Sequence, residues 1–210
     1  MIKYCKKSWR VIGKLCIYLK VIIKNLEIMV LYDKIIVIDI EATCWESKEE
    51  TLLNQREIIE IGVCKLILSS GKIEDKQSFY IKPEVSQVSS FCHQLTGITN
   101  EKLQIEGTSL EKALKKINSK YSAKYRTFAG YGDFDKEILE QECKSKAIEN
   151  PFRNDYLNIK TLFNLVYLQE KPKGLLKELE LIGESFEGEN HNGADDAYNA
   201  AKLLYKVLKK

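Results

Sequence analysis

Two carboxylates, Asp39 and Glu41, lie at the end of the apolar, β-branched run 35–40. Because side chains alternate across a strand, the two point to the same face. Like charges so close together resist joint ionisation unless a cation lies between them, and hard divalent cations such as Mg²⁺ and Mn²⁺ prefer oxygen ligands. This stretch therefore predicts either a metal site or a strand that simply ends in polar residues.

Further carboxylates occur where predicted helices begin. Asp133 and Asp135 follow the fourth predicted strand, and Asp195 and Asp196 open the last helix, with His191 in the loop before it. In open α/β sheets, such junctions line the ligand crevice. A helix N-cap is the alternative role for one Asp of each pair, and incidental placement is the alternative for the histidine. The combined pattern predicts carboxylates that hold two metal ions for an in-line displacement.

The elements that must position these side chains follow from hydrophobic periodicity and turn residues. Gly71 marks a turn between the second and third strands, so the first three strands are predicted to pair antiparallel. Residues 47–55 are predicted to be a loop, and a short helix is predicted to end at Gly97. Strands are predicted at 35–40, 57–68, 77–82, 126–131 and 156–159, and helices at 110–124, 136–146, 161–169, 174–182 and after 190. This order predicts an α/β fold, with a mixed sheet of about five strands flanked by helices.

Composition restricts the class of protein. The 210 residues are 44% hydrophobic, which suits one globular domain, predicted here at 29–210. That region carries 26 Lys or Arg and 29 Asp or Glu, a net charge of −3, so any polyanion must be held at a local site with the help of metal ions. The six cysteines (5, 16, 44, 64, 92 and 143) form no CxxC pair, which indicates a reducing, intracellular setting.

Residues 1–28 differ from the rest of the chain. They carry seven Lys or Arg and one Glu, a net charge of +6, with the basic side chains on one side of a helical projection. This basic amphipathic pattern suits a membrane surface or a protein docking groove. Lys14, Lys20 and Lys24 interrupt the apolar run, so a spanning helix is not expected. The alternative interpretation is that Met29 is the true start and the segment is not native.

With these residues in view, the sequence resembles the DEDDh 3′→5′ exonuclease superfamily, which has a ribonuclease H-like fold. The resemblance covers about 30–208. The superfamily has an Asp-x-Glu at a strand end, an aromatic-Asp at the head of a helix, and a His-x4-Asp. The matching residues are Asp39 and Glu41, Phe134 and Asp135, and His191 and Asp196.

Three longer segments resemble the Eri-like and KapD-like subgroup, whose members largely trim RNA. They are 41–45 (EATCW), 91–98 (FCHQLTGI) and 186–196 (FEGENHNGADD). The resemblance implies an exoribonuclease that acts on single-stranded 3′ ends. A DNA exonuclease of the proofreading type and a non-catalytic RNA-binding or scaffold protein on the same fold are the alternatives.

The resemblance also implies roles for individual residues. Asp39, Glu41, Asp135 and Asp196 would hold two Mg²⁺ ions, for which Mn²⁺ could substitute, and His191 would remove a proton from the attacking water. Five more residues are candidates for gripping the terminal bases, with core packing as the alternative role for each. These are Thr43, Trp45, Leu95, Thr96 and Phe134.

Overall fold

The two longest apolar runs form adjacent central strands of a five-stranded sheet. A computed structural model describes residues 31–152 and 155–210, of which Tyr32–Lys210 form one compact unit. Strand β1 (Lys34–Ala42) pairs antiparallel with β2 (Ile58–Ile67), and Ile38 lies opposite Val63. Both strands are rich in β-branched residues, which suit a buried pleated surface.

The remaining strands extend this pair on both sides. Strand β3 (Ile73–Tyr80) pairs antiparallel with β2, while β4 (Phe128–Gly130) runs parallel to β1 and β5 (Tyr156–Asn158) runs parallel to β4. The strand order is β3-β2-β1-β4-β5. The mixed five-stranded sheet with its first three strands antiparallel is therefore confirmed.

Helices connect the strands and cover the sheet. In chain order they are α1 (Lys48–Leu53), α2 (Ser90–Thr96), α3 (Asn100–Glu106), α4 (Leu110–Tyr121), α5 (Phe134–Ser145), α6 (Ile159–Val166), α7 (Leu175–Leu181) and α8 (Gly193–Leu208), with a 3₁₀ turn at Ala123–Tyr125. On one face of the sheet, Ile36 and Ile38 pack with side chains of α4 and α5. On the other face, Val37 packs with side chains of α6, α7 and α8. The two cores hold the helix beginnings at fixed positions around the sheet.

Two helices were not predicted from the hydrophobic pattern. The segment 47–55, predicted as a loop, contains α1. Ser47 and Glu50 form a reciprocal capping box there, which stabilises a helix that buries no side chain. Helix α3 begins after Thr99, whose side chain accepts a hydrogen bond from the Lys102 N–H. In both cases a hydrogen bond at the N-cap stabilises the helix, whereas the prediction depended on hydrophobic periodicity.

The element boundaries differ modestly from those predicted. Strand β3 begins at Ile73, four residues before the predicted start, and β4 is shortened to Phe128–Gly130. Helix α5 begins at Phe134 and α6 ends at Val166. The turn at Gly71 and the left-handed C-cap at Gly97 are where the sequence predicts them.

The two edges of the sheet are unlike its apolar centre. Strand β3 carries three consecutive charged residues, of which Asp75 and Lys76 are exposed and Glu74 is half-buried. Strand β5 at the other edge has only three residues. No helix among residues 31–152 and 155–210 has the length and hydropathy needed to cross a membrane. The basic extension predicted at 1–28 lies outside the described residues and stays a prediction.

Glycine at position 62 of β2 allows α8 to approach the sheet closely. A β-carbon at Gly62 would collide with the main chain of Gly193 at the start of α8. A β-carbon at Gly193 would in turn come within 3.1 Å of the Gly62 nitrogen and of the Glu60 carboxylate. The first turn of α8 therefore sits directly on β2, which sets its distance from β1.

We expect Gly62→Ala to destabilise the protein by about 1–3 kcal/mol, because the added methyl group overpacks this contact. Denaturant unfolding monitored by circular dichroism measures the change. Gly174→Ala is the control, since a β-carbon there meets nothing within 4 Å. Equal stabilities of Gly62→Ala and the wild type would contradict this account of the packing.

Candidate active site

A cleft of about 630 Å³ opens beside the C-terminal end of β1. It is bounded by the end of β1, the start of α5, the start of α7 and the loop before α8. The side chains that line it include Asp39, Glu41, Tyr131, Phe134, Asp135, Leu176, Lys177, His191 and Asp196. The four predicted carboxylates and the predicted histidine thus come together in one place.

The pleat of β1 directs its two carboxylates to one side. Ile36, Ile38 and Ile40 belong to the core on the α4 and α5 face, whereas Ile35 and Val37 belong to the opposite core. Residues 39 and 41 continue the series of 35 and 37, so their side chains lie on the α8 side of the sheet. The predicted shared face is confirmed.

Helix α5 supplies Asp135 from its first turn. The side chain is only 5% exposed, and its Oδ1 accepts a hydrogen bond of 2.9 Å from the Ile40 N–H. That hydrogen bond attaches the start of α5 to β1 at Ile40, between Asp39 and Glu41. Asp133 occupies the N-cap position without making a side-chain capping bond, so neither Asp has the capping role that was the alternative.

The far end of α5 is anchored as well. Glu142 accepts a hydrogen bond of 2.8 Å from the Ile58 N–H, and its other oxygen lies 2.9 Å from Lys146 Nζ. Lys146 also contacts buried Glu57 at 3.2 Å. Although burial opposes ionisation of Glu57, hydrogen bonds from the main chain at 84–86 hold its pKa at about 2. With both ends attached to the sheet, α5 has little freedom to move Asp135.

The loop before α8 holds His191 beside Asp196. Asp196 Oδ2 accepts a hydrogen bond of 2.7 Å from the His191 N–H, and His191 adopts a φ of +65°. A non-glycine residue in this left-handed region needs support from its surroundings, which the Asp196 carboxylate provides. The His191 Nδ1 lies 3.9 Å from Glu41 Oε1, and its side chain is 44% exposed. The imidazole can therefore reach both solvent and the carboxylates.

Neither Asp195 nor Asp196 caps the first turn of α8, although capping was the alternative role considered for one of them. Asn192 is the N-cap, and its side chain accepts a hydrogen bond from the Asp195 N–H. Asp195 instead pairs with Lys76 at 2.6 Å and accepts a hydrogen bond from the Glu189 N–H at 2.9 Å. The Asn side chain satisfies the helix start, which leaves Asp196 free to face the cleft.

A fifth carboxylate, Glu60, lies behind the cleft and was missed by sequence analysis. It is 1% exposed and faces Glu41 across the β1–β2 ladder. It accepts hydrogen bonds from the Ser78 hydroxyl and from the backbone N–H groups of Gly193 and Ala194. Glu60 thereby satisfies the first amides of α8, which otherwise have no partner within the helix.

Burial, together with crowded negative charge, makes the carboxylates of the cleft difficult to ionise. Burial and the neighbouring carboxylates raise the pKa of Asp39 well above its usual range and that of Glu41 to about 9. Burial also raises the pKa values of Asp135 and Asp196 to about 7, despite the hydrogen bonds that each accepts. Each group is thus harder to ionise than in water, because burial and like charges both disfavour the anion.

This donor set fits a divalent cation. One ligand atom from each of Glu41, His191 and Asp196 lies within 4.8 Å of the other two. Carboxylate oxygens are the ligands that Mg²⁺ and Mn²⁺ prefer, and a bound cation would remove the repulsion that raises the carboxyl pKa values. The residues present therefore suit metal binding at this cleft.

The five candidate base-contacting residues are placed differently from one another. Phe134 lines the cleft and is 44% exposed, and Leu95 is 38% exposed on α2. Trp45 is half-buried, and the Thr96 hydroxyl donates to the Cys92 carbonyl to close α2. Thr43 does not suit the predicted role: its side chain is fully buried, and its hydroxyl bonds the Glu57 main chain.

Other cleft residues were missed because they lie outside recognisable motifs. Tyr131 follows β4 directly, and its hydroxyl donates a 2.7 Å hydrogen bond to the Lys173 carbonyl. Its position beside the GDFD sequence could have drawn attention to it. Leu176 and Lys177 come from α7, and nothing in their local sequence distinguishes them from an ordinary amphipathic helix.

The fold and the cleft together define a nuclease domain of the DEDDh type. The family model described as "Exonuclease" (RNase_T) matches residues 36–204. The chain belongs to this exonuclease family.

Individual relatives agree with this assignment. The chain is 32% identical to ERI1 exoribonuclease 2 of Homo sapiens over 203 residues, which cover 85% of this chain and 29% of the human protein. It is 31% identical to the 3′-5′ exonuclease Snipper of Drosophila melanogaster, covering 85% of this chain and 70% of that protein. The nuclease domain of 3′hExo, a DEDDh family member bound to rAMP, superposes with a TM-score of 0.76 at 30% identity, covering 86% of this chain and 94% of that domain. The chain thus spans less than a third of the length of its human relative.

The raised carboxyl pKa values predict a pH-dependent stability without metal. The folded protein holds these protons more tightly than the unfolded chain, so stability falls as pH rises. We expect a lower Tm at pH 7 than at pH 5 in a chelating buffer. Millimolar Mg²⁺ should raise Tm more at pH 7 than at pH 5, because only ionised carboxylates bind it well. A Tm in chelator that does not fall over this range would contradict the prediction.

Removing one carboxylate charge is a second test of whether the ionised carboxylates destabilise the metal-free protein. We expect Asp39→Asn to raise the metal-free Tm at pH 7, because burial and the adjoining carboxylates disfavour its anion. The same change should abolish the rise in Tm on adding Mg²⁺. Asp133→Asn is the matched control, since Asp133 is exposed and is not among the cleft-lining side chains. Loss of the Mg²⁺ effect in both variants would argue against a specific site.

Proposed function

We propose that the protein is a metal-dependent 3′-5′ exonuclease that hydrolyses phosphodiester bonds at the 3′ end of single-stranded nucleic acid, with RNA favoured. The observation that carries this proposal is the convergence of four carboxylates and one histidine on a single cleft. The relatives named above support it, and their names describe exonucleases and exoribonucleases.

Asp39, Glu41, Asp135 and Asp196 would hold the cations, proposed to be two Mg²⁺ ions with Mn²⁺ as a substitute. When bound, such ions supply positive charge that stabilises the attacking and leaving oxygens of an in-line displacement. The protein contributes the fixed donor geometry, through the Ile40 amide that holds Asp135 and the α8 turn that presents Asp196. Asp135 and Asp196 are only 5% and 7% exposed, which limits the access of water to their oxygens.

His191 is the proposed general base. Its main chain is fixed by Asp196, while its ring remains partly exposed at the mouth of the cleft. The imidazole accepts a proton from water as the water oxygen forms a bond to phosphorus. The bond between phosphorus and the 3′ oxygen of the preceding nucleotide breaks, which releases a nucleoside 5′-monophosphate, and that 3′ oxygen takes a proton from solvent to become the new 3′-hydroxyl. Glu41, 3.9 Å from Nδ1, stabilises the protonated ring.

Aromatic side chains at the cleft suit an unpaired terminal nucleotide. Phe134 and Tyr131 both line it, and aromatic rings stack on bases of any sequence. Single strands offer bases for stacking, whereas a duplex must first be opened. The preference for RNA is supported by the exoribonuclease relatives and by the rAMP in the solved relative.

A DNA exonuclease with the same chemistry is the second candidate. The name of the Drosophila relative specifies a 3′-5′ exonuclease without restricting it to RNA. A non-catalytic scaffold is less consistent with the cleft, because a scaffold has no need for buried carboxylates that repel one another.

We expect His191→Ala to lower kcat on a single-stranded oligonucleotide by about 10²–10⁴-fold, the usual contribution of a positioned general base. Mg²⁺ binding, measured by titration calorimetry, should change little, because the proposed ligands are the four carboxylates; loss of Mg²⁺ binding would instead make His191 a ligand. His93→Ala is the matched control, because His93 on α2 is the other histidine in the chain and its ring lies 3.0 Å from the Ile98 carbonyl, which follows that helix. An unchanged kcat in His191→Ala would overturn the assignment of the base.

We expect faster digestion of RNA than of DNA of the same sequence and length, from a free 3′-hydroxyl. The measurement uses 5′-labelled single strands and their duplexes, with and without Mg²⁺. Duplex ends should resist digestion, because unpaired bases must enter the cleft. A DNA rate equal to or above the RNA rate would favour the second candidate.

A further inference from the structure

A second groove, of about 450 Å³, adjoins the cleft and has no role in the chemistry described above. It runs between the α1–β2 connection and the length of α5. Phe134 lines both the groove and the cleft, so one aromatic side chain separates them. The groove's other lining side chains include Thr51, Asn54, Arg56, Glu137 and Gln141.

The charge of the groove is asymmetric. Arg56 is exposed, and its guanidinium carbon lies 5.5 Å from the centre of the Phe134 ring. On the α5 side, Glu137 is exposed, whereas Glu142 is buried and neutralised by Lys146 at 2.9 Å. A phosphate entering the groove would therefore lie on the Arg56 wall, away from Glu137.

The uncharged lining suits the edges of nucleotide bases. Gln55 and Gln141 are exposed amides on opposite sides of the groove. Each amide carries both donors and an acceptor, and unpaired bases present the same complementary groups. Phe134 adds an apolar face at the end nearest the cleft.

The length of the groove matches a short strand. Helix α5 has 12 residues, or about 18 Å at 1.5 Å per residue. A stacked strand advances about 3.4 Å per nucleotide, so a strand of roughly four or five nucleotides would span the length of α5, with only part of each nucleotide inside the groove. A dinucleotide held in the cleft would not reach its far end.

We infer that this groove binds the nucleotides on the 5′ side of the scissile phosphate, with Arg56 contacting a backbone phosphate beyond Phe134. The inference rests on the proposed function, because the strand enters the groove only when its 3′ end occupies the cleft. Affinity then depends on strand length, and the charges of the groove act on long substrates alone.

The test compares a dinucleotide with an octanucleotide of the same 3′ sequence. KM and kcat are measured for both with the wild type, Arg56→Gln and Glu137→Gln. Lys116→Gln is the charge control, since Lys116 is exposed on α4 and lies away from both sites. Fluorescence anisotropy of an octanucleotide with a terminal phosphorothioate linkage reports binding independently of turnover.

We expect Arg56→Gln to raise KM and Kd for the octanucleotide by about 3–10-fold, the effect of losing one exposed phosphate contact. Its kcat and its dinucleotide kinetics should match the wild type. The slope of log Kd against log salt should fall by about 0.7, as expected for one fewer phosphate contact on a single strand. Glu137→Gln should lower the octanucleotide KM, because it removes a repulsive charge. Lys116→Gln should leave KM unchanged for both substrates.

Three results would overturn the inference. Equal wild-type KM values for the two lengths would show that no upstream nucleotide is bound. If Arg56→Gln raised KM equally for the dinucleotide and the octanucleotide, the arginine would act through Phe134 in the cleft. An unchanged octanucleotide Kd in Arg56→Gln would assign the groove to some other ligand. If turnover is absent but anisotropy retains the length and Arg56 dependence, the proposed function fails while the groove assignment stands.

Discussion

Mutual repulsion among buried carboxylates is the constraint around which this protein is built. Asp39, Glu41, Asp135 and Asp196 come from three elements and face one cleft, and their raised pKa values reflect first their removal from water and then their closeness to one another. An apolar sheet supplies the rigidity that keeps them in place, since a close-packed interior yields little to local strain. The same repulsion makes the cleft receptive to cations, so the feature that weakens the metal-free fold is also the one that selects the ligand.

The site residues are held in place mainly by hydrogen bonds from main-chain amides and by close packing, and less by ion pairs between long side chains. The Ile40 amide holds Asp135, the His191 amide holds Asp196, and the glycine contact between β2 and α8 sets how near α8 comes to the sheet. Glu60 completes the arrangement by bonding the first amides of α8. Main-chain donors of this kind lose no side-chain entropy when they bind, which makes them well suited to hold a site in one geometry.

The sequence predicts the sheet well because apolar runs are short-range patterns. The same patterns place candidate carboxylates at the ends of elements, whereas the choice of Asp135 over Asp133 and of Asp196 over Asp195 came from the resemblance to the exonuclease superfamily. Alternating and continuous apolar runs define the central strands, and the motif carboxylates fall where those strands and their helices meet. Helix α1 was missed because its six residues bury no side chain and leave no periodic signal. Glu60 was missed because its importance depends on where α8 lies, which is a long-range property of the fold. For Thr43, base contact and core packing were both left open, and its full burial favours packing, because burial at a strand end cannot be read from residue type.

The edges of the sheet have a consequence for how molecules of this protein meet one another. An exposed strand edge offers unpaired amides and carbonyls to a neighbouring chain, and natural proteins discourage such pairing with charged or very short edge strands. Strand β3 carries Glu74, Asp75 and Lys76 in succession, and β5 has three residues. Both edges of the described sheet are thus poor templates for another strand. Even at high protein concentration, fibrous self-association through pairing at the edges of this sheet is therefore not expected.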